Sequence, residues 1–399
     1  IGHMCYAASK LWNICNYERI HYKESGMEKY PDWYYQKSHH KDNMWFKSLP
    51  SQTAQEVCKL LDKAWKSFYT LKKTGGIENP RPPRFKQTGI AVTYMQNGIR
   101  HENGSEQVRL SIPKKLKEYM KATYQISDNY LFLKNSIFKD TDRIKQLKLY
   151  PPKDGRCELI AVYEVEDPKM LSDNGHYLSV DLGLHNLMTC YDSCGHSFIM
   201  GREYLSICRK YDKEIARVQS QWAGQQAKKG IRYPKPSRHV LKLYSKKRDT
   251  VRDYLHKMTR RLTDYCVEHD IRTVVIGDIR NIRKGTDLGK RNNQKLHALP
   301  YEKIYMMLEY KLRLEGIRLV KQEESYTSQC SPYADRVTGE YAQKQNRKKR
   351  GLYVVNAEVF NADAVGAYNI MRKYFAVSGI NKALSVSGLS NTKIKKVAV

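Results

Sequence analysis

The chain has 399 residues, with 71 Lys and Arg against 41 Asp and Glu, a formal net charge of +30. At 41% hydrophobic residues it is a folded chain with room for two or three domains, not a disordered tail. No apolar run approaches the roughly 20 residues of a membrane span and no secretory signal pattern is visible, so nucleic acid, not a membrane, is the polyanion this charge points to. Thirty Tyr and five Trp among the basic residues agree with that partner, because aromatic faces stack on unpaired bases, although many Tyr in any fold are packing residues. Nine cysteines, an odd number with no framework spacing, indicate a reduced, intracellular protein of the cytoplasm. Cys190 and Cys194 form the only close pair and stand beside His196; a zinc site needs four ligands, so they read as structural.

The first residues, Ile1 to about Lys23, open inside an amphipathic helical pattern with no start signal, so a preceding segment is expected. Ser51 is the expected N-cap of a second helix, with Val57, Leu60, Leu61, Ala64 and Phe68 on one apolar stripe. Its other face carries Gln55, Lys59, Lys63 and Lys66, suited to a nucleic-acid groove or backbone. From Gly75 to about Asp167 a Pro-rich basic stretch, including Pro83, Arg84 and Lys86, precedes short β-type runs at Val108–Ser111, Tyr130–Leu133 and Leu159–Val165. A small β-rich domain is expected there, followed by a linker through His176.

Beyond the linker, "YLSVDLGLHNLMTCYDS" reads as strand, turn and strand, with Asp181 at the end of the first strand and Gly183 at the turn. Two long basic helices are expected at about Leu205–Gln226 and Arg238–Glu268. "VVIGDIRNI" follows as a buried strand ending at Asp278, then a basic loop, a helix from Tyr301 to about Glu315, and the strand "IRLVKQ". "FNADAVGAYNI" sets Asp363 at the start of a helix whose Val365, Tyr368 and Ile370 can pack on a sheet. This order is that of an α/β domain. The tail after 376 has no clear fold.

Asp181, Asp278 and Asp363 stand at the ends of separate elements. Singly each reads as a cap or a surface charge; converging in a basic protein, they call for cations. Carboxylates holding paired Mg²⁺, with Mn²⁺ as an alternative, are the arrangement that hydrolyses phosphodiesters. The sequence has no dinucleotide-binding Gly motif, no P-loop and no G-x-S-x-G, and His185, His256 and His297 have no evident nucleophile partner.

"YLSVDLGLHNLMT", "VVIGDIRNIRKG", "NQKLHALPYEKIYMMLEYKLRLEGI", "ESYTSQCS" and "NADAVGAYNIMRKY", in this order, resemble the RuvC-like core of the TnpB family, insertion-sequence RNA-guided DNA endonucleases related to miniature type V CRISPR effectors. "LPSQTAQEVCKLLDKAWKSF" and "PPRFK" resemble its recognition and wedge regions. The resemblance implies an RNase H-like α/β nuclease domain with a helical recognition region and a β-rich wedge. It divides the chain into 1–74 (recognition), 75–168 (wedge), 169–325 (nuclease), 326–359 (an insertion resembling a degenerate zinc finger), 360–375 (the last nuclease motif) and 376–399 (tail). It further implies a guide RNA, double-stranded target DNA beside a short motif, Mg²⁺-dependent cleavage, and a monomer acting at the prokaryotic nucleoid.

Carried over, Asp181 matches the family's first metal-binding Asp and Asp363 its last, while Gln55, Lys59, Arg84, Lys86 and Tyr326 fall in nucleic-acid-binding regions. The family's second catalytic residue, a Glu before an Asp, is here Gly277 before Asp278. Three readings follow: Asp278 serves after a local distortion, Glu309 or another acid substitutes, or the site is broken and the protein is a nuclease-inactive RNA-guided binder, such as a repressor. Where relatives carry two Cys-x-x-Cys pairs, this insertion has only Cys330, so zinc is not expected. Its basic run Arg347-Lys348-Lys349-Arg350 is expected to lead into a hairpin that presents charge to nucleic acid, or else to be a solvated loop.

Overall fold

The computed structural model describes residues 1–139, 144–153, 155–279, 299–349 and 351–398; the predicted His297 and Arg350, and most of the basic loop after Asp278, lie outside them. The chain divides into two compact units, Ile1–Glu166 and Asp167–Val399. Among the described residues no helix is long and apolar enough to cross a membrane.

The first unit begins with helices α1 (Gly2–Ile20), α2 (Trp33–His39), α3 (Met44–Lys47) and α4 (Ser51–Thr74). Leu11, Trp12 and Cys15 of α1 pack with Ala54, Val57, Cys58, Leu61 and Trp65 of α4. The apolar stripe of α4 therefore differs from the expected one: Leu60 is 52% exposed and Trp65 is buried. Positions 57, 61 and 65 are four apart, and that ridge meets α1. Pro50, not Ser51, is the N-cap. Between α1, α2 and α4 runs a buried polar network: Arg19 pairs with Asp62 at 3.0 Å, and buried Gln36 accepts from Arg19 and donates to Glu18.

Two antiparallel sheets follow. Strands β1 (Val92–Met95), β5 (Ile144–Leu149) and β6 (Leu159–Tyr163) form one, and β2 (Ile99–His101), β3 (Gln107–Ser111) and β4 (Tyr130–Lys134) the other. The expected β-type runs are all strands. Between β3 and β4 lies a helix, α5 (Lys114–Tyr124), that the turn-and-polar reading does not anticipate; its Leu116 and Met120, four apart, join the core.

The second unit is mixed α/β. Its sheet has the order β11-β10-β7-β8-β9-β14, built from β7 (Tyr177–Asp181), β8 (Met188–Asp192), β9 (Ser197–Met200), β10 (Thr273–Gly277), β11 (Arg318–Gln322) and β14 (Lys393–Ile394). Strands β7, β10 and β11 are parallel and every residue of β10 is buried, hence its unbroken apolar run. Side chains alternate between faces. Leu178, Val180, Val274 and Ile276 pack under α6 (Glu203–Ala227), α7 (Arg238–Glu268) and α8 (Tyr301–Leu314). On the opposite face lies α9 (Ala362–Ser378), held to β7 by Ser179 Oγ donating to the Ala367 carbonyl at 2.7 Å. The tail read as unstructured supplies β14, which pairs with β9 through Lys393 opposite Phe198. A two-residue strand at a sheet edge carries too little periodicity to be seen in sequence.

Candidate catalytic site at the ends of the parallel strands

Asp181 is the last residue of β7, and its carboxylate lies directly against α9, where a Cβ at Gly366 would stand 2.5 Å from Asp181 Oδ2. Glycine at 366 is thus what lets an acid sit between strand and helix. Burial, and then the nearby Asp363, push Asp181 up to about 7.

Asp363 lies in the first turn of α9, whose N-cap Asn361 accepts from the amides of Asp363 and Ala364. Its own carboxylate accepts from Asn186 Nδ2 at 2.7 Å and from Arg347 Nη2 at 3.2 Å.

Strand register decides the role of "VVIGDIRNI". Val180 pairs with Ile276, so the next position along β10, Gly277, stands beside Asp181 on the α9 face. Asp278 is one step further and belongs to the opposite face, where its Oδ1 accepts from Tyr301 Oη of α8 at 3.3 Å. Glu309 is further away in kind: it is exposed on α8, near Arg313, while Ile304, Leu308 and Leu312 of that helix face the sheet. Of the four acids expected at this site, the structure groups Asp181 and Asp363 on one face, turns Asp278 toward Tyr301 while leaving it close enough to act on Glu324, and sets Glu309 away from them.

An acid that the sequence reading passed over completes the group. Glu324 follows β11, two residues beyond Gln322, the register partner of Gly277. A Cβ on Gly277 would lie 2.3 Å from Glu324 Oε2, so Glu324 occupies the space a side chain at 277 would fill. Glu324 Oε2 is buried without a hydrogen-bond partner among the described residues. Burial, and then Asp181, Glu323 and Asp278, raise Glu324 to about 8. The signal was present in "IRLVKQEES": the neighbouring parallel strand ends in acids where β10 ends in glycine.

Among the described residues no three His, Cys, Asp or Glu side chains are already gathered at metal-binding distance. The donor set nevertheless fits a hard divalent cation: all-oxygen, partly buried, mutually repelling and with one orphaned carboxylate oxygen.

The insertion after β11 is fastened to α9 by side chains. Buried Asn369 donates to the Thr327 and Cys330 carbonyls at 2.8 Å each, Arg372 reaches the Ser331 and Ala334 carbonyls, and the Cys330 thiol donates to Thr338 O. The predicted hairpin pairs β12 (Leu352–Val355) with β13 (Glu358–Asn361), so the basic run precedes it and does not form an arm of it. Arg347, Lys348 and Lys349 are all exposed, and Arg347 reaches across to Asp363. Tyr326 is half-exposed beside Gly339. In the first unit, Lys59 binds Glu56 and lies 4.7 Å from the Trp33 ring centre, Gln55 contacts Ser51, and Lys86 lies 4.6 Å from the Trp12 ring, with exposed Arg84 nearby in sequence.

Comparison with known proteins matches two stretches of the chain. Residues 161–283 match the family model OrfB_IS605, described as a probable transposase, and residues 301–370 match the Cas12f1-like TNB domain. The "Putative RNA-guided DNA endonuclease InsQ" of Escherichia coli (strain K12) is 24% identical over 370 residues, 88% of this chain and 81% of that protein. The "TnpB-like protein MJ0751" of Methanocaldococcus jannaschii is 22% identical over 223 residues, 54% of this chain and 74% of that protein. Among solved structures, the Cas12f1–sgRNA–target DNA complex matches with a TM-score of 0.55 at 13% identity, covering 92% of this chain and 81% of that one, a likeness of fold.

Proposed function

We infer that this TnpB-like chain is an RNA-guided DNA endonuclease, with an RNase H-like nuclease centre in the second unit and the recognition and wedge regions in the first. The observation that carries the reading is Glu324, an orphaned buried carboxylate in the volume vacated at Gly277, beside Asp181. Glycine where relatives carry Glu need not break the site when the adjacent parallel strand delivers an acid to the same point.

In this reading Asp181, Glu324 and Asp363 would hold Mg²⁺. The bound cation would activate water and neutralise the leaving oxygen of the phosphodiester. Without a cation, Asp181 and Glu324 keep protons near neutral pH, because burial and mutual repulsion disfavour two charges. Asn186 fixes the rotamer of Asp363. Arg347, paired with Asp363, sets a guanidinium beside the acids that would be within reach of a substrate phosphate. Base pairing to a guide then reads the target, while Gln55, Lys59, Arg84, Lys86, Tyr326, Lys348 and Lys349 supply contacts that follow backbone or stack.

Plasmid cleavage with co-purified RNA and Mg²⁺, comparing wild type with Asp181→Ala, Glu324→Gln and Asp278→Asn, is the test. A wild type that binds target and leaves it intact would instead establish the RNA-guided binder, the reading that Gly277 favours. A Glu324→Gln variant that cuts normally would sink the site assignment alone.

A further inference from the structure

The same sheet has a second concave site at its other end, remote from the acids. A cavity of about 460 Å³ opens between the β8–β9 turn, the C-terminal end of α7 and the tail strand β14. Asp181 ends β7, whereas this cavity lies beyond the start of that strand, where Ser193 N donates to Tyr177 O. Strand rise alone puts about 13 Å between Tyr177 and Asp181.

The wall is built, not incidental. A Cβ on Gly388 would lie 1.8 Å from the Gly195 carbonyl, so glycine is required for the tail to cross the turn, and Ser197 Oγ donates to Gly388 O at 2.6 Å. Parallel pairing of β14 with β9 continues through Lys395 N to Ile199 O. Lys393 and Lys395, two apart on an extended segment, thereby face the same side, and both line the cavity. Lys395 Nζ is held 3.8 Å from the Tyr265 ring centre and 4.6 Å from that of Phe198. Two imidazoles complete the wall, each with Nδ1 already engaged: His196 on Asp192 at 3.0 Å and His269 on the Tyr265 carbonyl at 2.9 Å. Because both partners are acceptors, Nδ1 donates in each ring, and Nε2 donates to an anion only from the imidazolium form.

Asp192, the acid nearest this wall, is occupied by four donors: the Cys194 and His196 amides, the His196 ring and Tyr265 Oη. Glu268 is the remaining acid acting on Lys395, and Arg261 adds positive charge. The balance is cationic, the cavity is of ligand size, and the donors it offers an anion are the Lys393 and Lys395 ammonium groups.

We propose that this pocket is a phosphate-binding site that grips the backbone of a nucleic-acid strand at the end of the sheet opposite the cleavage centre. The identity of the strand, guide RNA or DNA, rests on the function proposed above; the site itself does not.

The test uses the full chain, with fluorescein-labelled oligouridine, duplex DNA of equal length and inorganic pyrophosphate as probes, titrated by anisotropy or thermal shift across salt concentrations. The double variant Lys393→Gln/Lys395→Gln is expected to weaken one polymer roughly 10-fold near 0.1 M salt, with the salt slope falling by about 1.4 for a single strand or about 1.8 for a duplex. The polymer affected names the strand. Lys228→Gln/Lys229→Gln, which removes equal charge from an exposed segment, should lose less than half as much. Because the Lys395 stem packs on Tyr265 and Phe198, Lys393→Gln/His269→Gln, at two exposed positions, serves as the second variant and should weaken the same polymer. Unchanged affinity and slope for both polymers overturn the proposal. So does an equal loss in the Lys228/Lys229 control, or a loss confined to pyrophosphate. Wild type that binds but never cuts would defeat the nuclease reading and leave this site standing.

Discussion

Two aspartates on neighbouring strands of one sheet show how differently the same side chain is used. Asp192, at the end of β8, accepts from two backbone amides, a histidine ring and a tyrosine hydroxyl, and ties the β8–β9 turn to α7. Asp181, at the end of β7, is pressed between strand and glycine and raised to about 7 by burial and by Asp363. A carboxylate whose neighbours satisfy it belongs to the fold. One that its neighbours repel is waiting for a cation or a proton, which is the mark of a functional acid.

Removing the repelled acids should have the largest effect. Asp181→Ala or Glu324→Gln is expected to reduce the rate of DNA cleavage by about 10³-fold or more while leaving guide and target binding in place, measured as single-turnover rates beside binding constants. In the same assay Asp278→Asn and Glu309→Gln should stay within about 3-fold of wild type, since one carboxylate faces Tyr301 and the other faces solvent.

A relocation experiment probes the same contrast more finely. Gly277→Glu combined with Glu324→Ala returns the carboxylate to β10 in the space Glu324 now fills, and should recover at least about 10-fold of the activity that Glu324→Ala loses. No recovery would mean that position 277 does not share the site of Glu324.

Asp192→Ala should do the reverse of Asp181→Ala. Stripping one acceptor from four donors is expected to cost about 2–4 kcal/mol of stability, measured by denaturant unfolding, with cleavage per folded molecule unchanged.

The same two acids also set a pH dependence of stability. Asp181 and Glu324 have folded-state pKa values of about 7 and about 8, above the roughly 4 of an unfolded carboxyl, so the folded state holds their protons more tightly. Their contribution is fully present below about pH 4 and is lost as pH rises to about 8. Without divalent ions, the melting temperature should therefore carry a declining component across that window. Asp181→Asn or Glu324→Gln should flatten it, raising the midpoint at pH 8 by about 2–4 °C for each kcal/mol recovered.

Much of this molecule is legible in its amino-acid sequence. The buried strands Tyr177–Asp181 and Thr273–Gly277, the helices Glu203–Ala227, Arg238–Glu268 and Tyr301–Leu314, and the acids Asp181 and Asp363 at element ends follow from apolar periodicity, which depends on near neighbours in the chain. The motif blocks added a resemblance to the TnpB family, and Gly277 marked where that family's pattern is interrupted. What sequence could not settle was which side chains meet, because that depends on contacts between residues far apart. Register in a parallel sheet placed Gly277, not Asp278, beside Asp181, and brought Glu324 from 47 positions later into the gap. The two-residue edge strand of the tail, too short to carry a period, exists through its pairing with β9, and it closes the cationic pocket at the far end of the sheet. Local order was written in the spacing of apolar residues; the carboxylate that completes the site was assigned by packing, where a missing side chain on one strand left room for a charged one from the next.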